Sequence, residues 1–375
     1  MSSEKLHIVS FDIPYPPDYG GAIDVFYKLK ALSEEGVKIV LHCFEYGRSR
    51  PSELEQICDR VYFYKRNYSK RLLVQNKPFI VISRSDSALL DNLLKDEAPI
   101  LFEGFHTTFF INHPKLSARK KFVRAHNIEH EYYKALARNE RKLGKRFYLK
   151  AEAGKLEKHE SDLKNADLIL AISPHDTNYY SDRFKFVKYL PAFHAHKDCE
   201  FHDQRKPYAL YHGNLSVNEN MRAAEYLVSE VFQNSDIELK IVGNGASNSL
   251  KKLIAEIPNI ELIEKVNNEK IDHFIREAQL NILVTFQQTG IKLKLLNALF
   301  LGGHCLVNQP MVESTGLESL CVIDNSPENL AEEAARLMKV NFTKADFEKR
   351  KQVLGNSFSN DLHARQLKQW IFNSE

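Results

Sequence analysis

The sequence predicts an α/β protein built from two doubly wound domains in tandem. Three observations carry that prediction. The chain has 375 residues, more than one hydrophobic core usually organises. Short apolar runs alternate with amphipathic ones, and the alternation starts over midway, which is the pattern of parallel sheets covered by helices on both faces. Between the two series the rhythm breaks at YLPAFHAHKDCEFHDQRKP (189–207), where proline, histidine and charge cluster as they do in a linker.

Taken in order, residues 6–10 read as a strand, followed by the loop FDIPYPPDYGG (11–21) and an amphipathic helix over 22–35 that Gly36 ends. Further strands are expected at 37–44, 99–105, 120–126 and 166–173, with one long charged helix over 132–165. After the linker, strands at 208–214, 237–245, 260–266, 280–286, 303–308 and 319–324 alternate with helices at 221–232, 248–257, 268–278, 291–301 and 327–339. Pro327 suits the first turn of its helix. A last helix, 360–373, carries Trp370 and Phe372. The domains are therefore drawn as 1–193 together with a terminal helix at 358–375, and 194–357.

Composition narrows the class. With 43% hydrophobic and 27% charged residues the chain reads as soluble and globular, and a net charge of +3 gives no reason to expect nucleic acid as a partner. The charge is uneven: residues 115–150 hold 12 lysines and arginines against Glu129, Glu131 and Glu140, and KRNYSKR (65–71) adds four more cations. Such a face is either solvated or suited to an anionic membrane surface or ligand. The five cysteines are scattered without a CxxC pair, as expected of reduced thiols in a cytoplasm. The N-terminus runs into a strand without a signal-peptide pattern, and no apolar run is long enough to span a bilayer, so any membrane contact would be peripheral.

In doubly wound domains ligands bind beyond the carboxyl ends of the strands. Four exits in the second half are rich in small and polar residues: HGNLSVNEN (212–220), GNGAS (243–247), QQTG (287–290) and NQPMVEST (308–315). Glycines that admit close approach, set before helix N-termini, point to a phosphate-bearing ligand. GNGASN has only the first two glycines of a dinucleotide fingerprint, with Asn248 in the third place and Glu264 as the nearest acidic candidate. The 291–301 helix is apolar almost all round, yet carries Lys294 and Asn297. At about 100° per residue, Gly290, Lys294 and Asn297 fall within about 60° of one another, while Lys292 points away. A lysine at the positive end of a helix costs a few tenths to about 1 kcal/mol, and a bound phosphate would reverse that sign. The plainer alternative has Lys294 snorkelling to solvent and Asn297 capping a turn.

In the first half, His126 ends the 120–126 strand. There it serves either as a structural histidine or as one that bonds a sugar hydroxyl or shuttles a proton. His126, Glu129 and His130 also form H-x-x-E-H, the spacing of an inverted zincin, which leaves zinc hydrolysis as a competing class without an identified third ligand.

Read together, YGGA after the first strand, AHN at His126, HGNLSVNEN, IVGNG and TGIKLKLLNALFLGG resemble the GT-B glycosyltransferases, most closely the retaining family 4 group, over nearly the whole chain. The resemblance implies two Rossmann-like domains facing a cleft, with the C-terminal helix returning to the N-terminal, acceptor-binding domain. It implies a nucleotide-diphosphate sugar as substrate, a saccharide or lipid-linked acceptor, and no resident cofactor or metal. Donor contacts would come from Gly20 and Gly21, from His212, Gly213 and Asn214, from Gly243 and Gly245, and from Thr289, Gly290, Ile291 and Asn297. His126 would meet the donor sugar, and Lys294 would partner the diphosphate. One departure stands out: where the family commonly has two glutamates eight positions apart, this chain has Thr289 and Asn297. Asn297 can accept a hydrogen bond through its carbonyl oxygen but lacks the charge. The expectation is a cytoplasmic sugar transferase making a surface polysaccharide or glycolipid at the inner membrane face, with residues 115–150 toward the lipid. The alternatives are a catalytically degenerate nucleotide-sugar- or glycan-binding protein and a sugar epimerase on the same fold.

Overall fold

The computed structural model describes residues 4–286 and 292–373. These form two compact units: one holds the residues through Ala195 and the segment from Asn360 onward, the other runs from His196 to Ser359.

The first unit is organised by a parallel sheet of β1 (Lys5–Ser10), β2 (Lys38–Glu45), β3 (Arg60–Lys65), β4 (Ile100–Glu103), β5 (Lys121–Ala125), β6 (Leu168–Ala171) and β7 (Val187–Tyr189), in the order β3-β2-β1-β4-β5-β6-β7. Both faces are covered, so the strands read as continuous apolar runs whose alternate residues enter different cores. Leu6, Ile8, Leu41 and Leu101 pack with Val25 and Leu29 of the Gly20–Glu34 helix and with Leu367 and Ile371 of the Asn360–Phe372 helix. The C-terminal helix thus returns to the first unit, as the sequence suggested. Val9, Phe44, Phe102 and Val123 face the other way, toward Leu156 and Tyr180.

The second unit repeats the plan with β8 (Lys206–His212), β9 (Glu238–Val242), β10 (Ile260–Ile263), β11 (Ala278–Leu283), β12 (His304–Val307) and β13 (Val322–Ile323), ordered β10-β9-β8-β11-β12-β13 and again parallel. In each sheet the strand succession reverses beside the first strand, at β1/β4 and at β8/β11. Such a switch point is where loops part and a crevice forms.

Some expectations are corrected. The long helix over 132–165 is two helices, Glu129–Asn139 and Leu143–His159, followed by a 3-10 turn at Glu160–Asn165. Glu140 and Lys142 are extended at the break, and the Glu140 carboxylate accepts from the Lys142 N–H at 3.0 Å and pairs with Lys145 at 2.7 Å, offering local partners that compete with helix continuation. Strands β3 and β7 and the Lys344–Ser357 helix, which opens on a Thr343/Asp346 capping box, were not anticipated. The strand expected over 319–324 shrinks to β13. No described helix is long and apolar enough to cross a membrane.

Candidate active site

In the second unit the neighbouring exits of β8 and β11 bring together two helix N-termini, those of Asn218–Tyr226 and Leu293–Leu301. The latter is buried at every position except Lys294 and Asn297, which are half-buried. Its apolar surroundings explain its near-uniform sequence, and they make the two polar side chains informative. Lys294 Nζ donates to Asn220 Oδ1 at 2.8 Å and approaches the Tyr211 hydroxyl at 3.5 Å, lying over the Tyr211 ring. All these partners are neutral, and among the described residues no carboxylate pairs with Lys294. Burial pushes its ammonium down to about 8, Lys292 adds to that, and Glu219 opposes it. Glu219 is itself engaged: its Oε1 accepts from Thr285 Oγ1 at 2.7 Å and from the Phe286 N–H at 2.6 Å, fastening the β11 exit to the Asn218–Tyr226 helix. Asn308, beyond β12, closes the same seam by exchanging hydrogen bonds with the Thr285 backbone.

His212 at the end of β8 is buried, and burial, with Lys294's charge behind it, pushes its imidazole down to about 3. It is a neutral neighbour of the lysine. Asn297 has a different partner from Lys294: its Oδ1 lies 3.0 Å from His196 Nε2. Thr289, Gly290 and Ile291 lie outside the described residues. Sequence reasoning did not single out Tyr211, Asn220 or Glu219, although two of them stand in the HGNLSVNEN exit it quoted.

The glycines of the β8 and β9 exits face each other. A Cβ on Gly243 would sit 1.8 Å from the Gly213 carbonyl oxygen, and one on Gly245, whose φ is +89°, 2.9 Å from the Ser216 nitrogen. Gly213 in turn leaves room for Asn220. Asn214 forms an Asx turn, its Oδ1 accepting from the Ser216 N–H at 3.0 Å and hydroxyl at 2.6 Å, while its carbonyl accepts from Asn220 Nδ2 at 3.0 Å. The Gly243 N–H bonds the Ile263 carbonyl, and the Ala246 N–H bonds Glu264, which pairs with Lys251 at 2.6 Å. Backbone packing alone therefore requires glycine at 243 and 245, and Glu264 serves this loop.

In the first unit, His126 belongs to a buried charge network on β4, β5 and the Gly20–Glu34 helix. Lys28 Nζ donates to Asp24 Oδ2 at 2.9 Å and to both Glu103 oxygens at 2.7 and 2.9 Å. Arg124 donates twice to Asp24 at 3.1 Å and also to the carbonyls of Leu190 and Pro191. The Phe193 N–H completes Asp24 at 2.8 Å. His126 Nε2 meets Glu103 Oε2 at 3.1 Å. A carboxylate only accepts, so Nε2 carries a proton, and Nδ1 has no hydrogen-bond partner among the described residues. Burial pushes both acids up, but Arg124 and Lys28 hold Asp24 well below the usual carboxylate range, and Lys28 with His126 lowers Glu103. Donor atoms of Asp24, Glu103 and His126 lie within 4.8 Å of one another, as metal ligands do, yet the Lys28 ammonium already bridges the two carboxylates. The H-x-x-E-H spacing forms no zinc-binding helix face: His126 follows β5, while Glu129 and His130 open the next helix and His130 lies 3.3 Å from Glu160. Gly20 and Gly21 start the Gly20–Glu34 helix, and a Cβ on Gly21 would press on the Phe11 ring at 2.6 Å.

A cavity of about 630 Å³ opens beyond the carboxyl ends of β1 to β4 in the same unit, with Phe11, Asp12, Tyr46, Arg48, Arg66 and His106 among its lining. The Phe11 ring touches both His106 and His126. Sequence reasoning saw Arg66 only as part of a charge run.

The basic stretch 115–150 is not one surface. Arg119, Lys121 and Arg124 are buried and bond carbonyl oxygens of the fold, and Lys134 pairs with Glu157. What remains exposed is concentrated at 141–147, where Leu143 and Phe147, 80% and 77% exposed, stand among Arg141, Lys142, Lys145 and Arg146.

No family model matches the sequence. An uncharacterized 44.6 kDa protein in the cps region of Klebsiella pneumoniae is 29% identical over 313 residues, which are 79% of this chain and 80% of that protein. Among solved structures, a mutant of S. aureus TarM, in complex with fondaparinux, alpha-GlcNAc-glycerol and UDP, aligns with a TM-score of 0.68 at 12% identity, covering 99% of this chain and 100% of its own. Sucrose-phosphate synthase from Thermosynechococcus elongatus aligns with a TM-score of 0.68 at 13% identity over 98% of each chain. Two parallel sheets of the same strand order, in a chain that aligns nearly end to end with these structures, give it the GT-B fold.

Proposed function

We propose that the protein is a glycosyltransferase that moves a sugar from a nucleotide-diphosphate sugar to a saccharide or lipid-linked acceptor during synthesis of a surface polysaccharide. The observation that carries this reading is Lys294: a half-buried ammonium at a helix N-terminus, held by an amide and a phenol with no counter-ion among the described residues. As the bond between sugar and diphosphate breaks, negative charge grows on the leaving oxygen. A preorganised cation and helix dipole stabilise that charge more than the ground state. The acceptor hydroxyl forms the new glycosidic bond as the bond to the diphosphate breaks and passes its proton to the departing diphosphate oxygen, with retention at the anomeric carbon as the family resemblance implies. His126, oriented by Glu103, is assigned to a donor-sugar hydroxyl. The cps-region relative supports the polysaccharide setting, and the fold is shared with a structure holding UDP and a glycan.

A membrane role is proposed for residues 141–150 rather than for the whole of 115–150, because there the most exposed apolar side chains of the stretch, Leu143 and Phe147, stand among exposed cations. On this reading the enzyme works at the cytoplasmic face of the membrane. A second reading, nucleotide-sugar binding without turnover, is favoured by Asn297, whose carbonyl oxygen faces His196 instead of standing free for a ribose hydroxyl.

Release of nucleoside diphosphate from a panel of nucleotide sugars, with and without acceptor glycans, tests both readings. Turnover that falls about 100-fold or more in Lys294→Ala supports the transferase. Binding without turnover of any donor selects the second reading, and full turnover in Lys294→Ala removes Lys294 from the site.

A further inference from the structure

We infer that the cavity beyond β1 to β4 receives an acidic saccharide, a sugar acid or a sugar phosphate, with its anionic group between Arg66 and Arg84 and its ring against the aromatic wall. This rests on the transferase reading only in naming that saccharide as the acceptor; the binding itself is argued from the cavity alone.

The three arginines of the cavity differ in what neutralises them. Arg48 lies 3.4 Å from Asp12 and is paired with Asp18 as well. Arg84 is 3% exposed, and its nitrogens reach only carbonyl oxygens, those of Phe11 at 3.0 and 2.9 Å and of Ile80 at 2.6 Å. Arg66 bonds the Ser83 hydroxyl at 2.9 Å and lies against the rings of Tyr46 at 4.8 Å, Tyr68 at 5.3 Å and Phe79 at 5.6 Å. Among the described residues neither Arg66 nor Arg84 has a carboxylate at ion-pairing distance. Burial, with the nearby charge of Arg66 behind it, pushes Arg84 down to about 9, and Asp12 opposes them.

Two like charges at one cavity, neither in direct contact with a carboxylate and with Asp12 acting on Arg84 only from a distance, are a cost to the folded chain, since a buried charge is ordinarily paired. An anion that enters removes that cost and gains the planar, two-pronged hydrogen bonding at which guanidinium excels. The same carbonyl bonds fix the position of Arg84. Stacking against three rings orients Arg66 in the same way. Neutral His106, whose buried Nδ1 has no hydrogen-bond partner among the described residues, offers a hydroxyl contact beside them. The volume of about 630 Å³, with an aromatic lining and a few convergent polar groups, is that of a small-molecule site rather than a flat charged surface. The location fits too, because the lining follows the carboxyl ends of strands next to the β1/β4 switch.

The test uses the full-length protein and four probes in calorimetric or ligand-observed NMR titrations: D-glucuronate, D-glucose 6-phosphate, D-glucose and inorganic phosphate. At least one acidic sugar is expected to bind tenfold or more tighter than glucose, with glucuronate preferred if the group is a carboxylate and glucose 6-phosphate if it is a phosphate. Arg66→Gln, a change at a half-buried side chain, should lower that affinity about tenfold or more while leaving glucose binding alone. Tyr46→Ala should weaken all three sugars. Glucose binding as tightly as the acids, or an Arg66→Gln protein that binds them unchanged, overturns the inference. So does inorganic phosphate binding as tightly as glucose 6-phosphate, which would leave an anion site without a saccharide. Acidic-sugar binding in a protein that turns over no nucleotide sugar would keep this site and sink the transferase reading.

Discussion

Both sheets collect charge beyond their carboxyl ends, and the two collections are built differently. In the first unit every oxygen of Asp24 and Glu103 is met by Lys28, Arg124, His126 or the Phe193 N–H. In the second unit the Lys294 ammonium has an amide oxygen and a phenol. A closed network holds the Gly20–Glu34 helix to β4, β5 and the 190–193 segment. An open cation is a local cost that an anion removes. Charge at a strand end therefore does not by itself mark a ligand site; the state of its partners does. By that criterion Arg66 and Arg84 resemble Lys294, and Arg124 does not.

The sharpest way to break this contrast is to open the closed side. Asp24→Ala leaves Arg124 and Lys28 buried without their shared carboxylate, a change expected to cost about 3–5 kcal/mol and to lower Tm on the order of 10 °C. Thermal unfolding followed by circular dichroism checks it, and an unchanged Tm would mean that the network is not what holds those elements. The pH dependence follows the same logic. Both acids have folded-state pKa values below their usual ones, so their contribution is complete above the unfolded-state values near about 4 and is lost as pH falls through the folded ones. The acid limb of stability should flatten in Asp24→Ala.

Closing the open side is the next test. Lys294→Ala should weaken nucleoside diphosphate binding roughly 10- to 100-fold, the worth of a charge-assisted hydrogen bond of about 1.5–3 kcal/mol, with no loss of Tm. A matching fall in Tm would place Lys294 among the structural charges. With its free-state value at about 8, the lysine is protonated below that pH and loses its charge above it. Diphosphate affinity should therefore fall as pH rises past about 8 in the parent protein and stay flat there in Lys294→Ala. Calorimetric titrations between pH 6.5 and 9.5, a window of about 1.5 units on each side, separate the two.

How much of this was legible in the sequence differs by kind of evidence. Strands buried on both faces, such as β1, β4 and β11, show as mostly apolar runs broken by single polar residues such as His7 and Asn281. The edge strands β3 and β7 do not, because partial exposure admits Arg60, Lys65 and Lys188. The break between the Glu129–Asn139 and Leu143–His159 helices is hidden because good helix formers continue through it, and the Glu140 side chain, not a glycine or proline, marks the end. Lys294 was visible because a polar residue in an apolar helix contradicts its surroundings. Asp24 and Arg124 were not, since the contact joins residues 100 positions apart. Arg66 lay in a run of cations in which nothing local separates a side chain stacked on three rings from its solvated neighbours. The glycines at 243 and 245 were legible as glycines, but their reason, the Gly213 carbonyl and Ser216, lies in another loop.

The smallest expected effect tests the contrast within one helix. Lys294 and Asn297 are three residues apart, and helical spacing alone assigns them to one stripe. Their partners separate them: Lys294 reaches Asn220 and Tyr211, whereas Asn297 lies against His196. If partner closure decides function, Asn297→Ala should cost the fold about 0.5–1.5 kcal/mol, one ordinary hydrogen bond, and change diphosphate affinity less than about threefold. A tenfold loss of affinity, equal to that in Lys294→Ala, would restore the single-stripe reading and make Asn297 a nucleotide contact in place of the usual glutamate. A stability loss alone would instead assign it to the same class as Asp24: a polar group whose partner is already inside the protein.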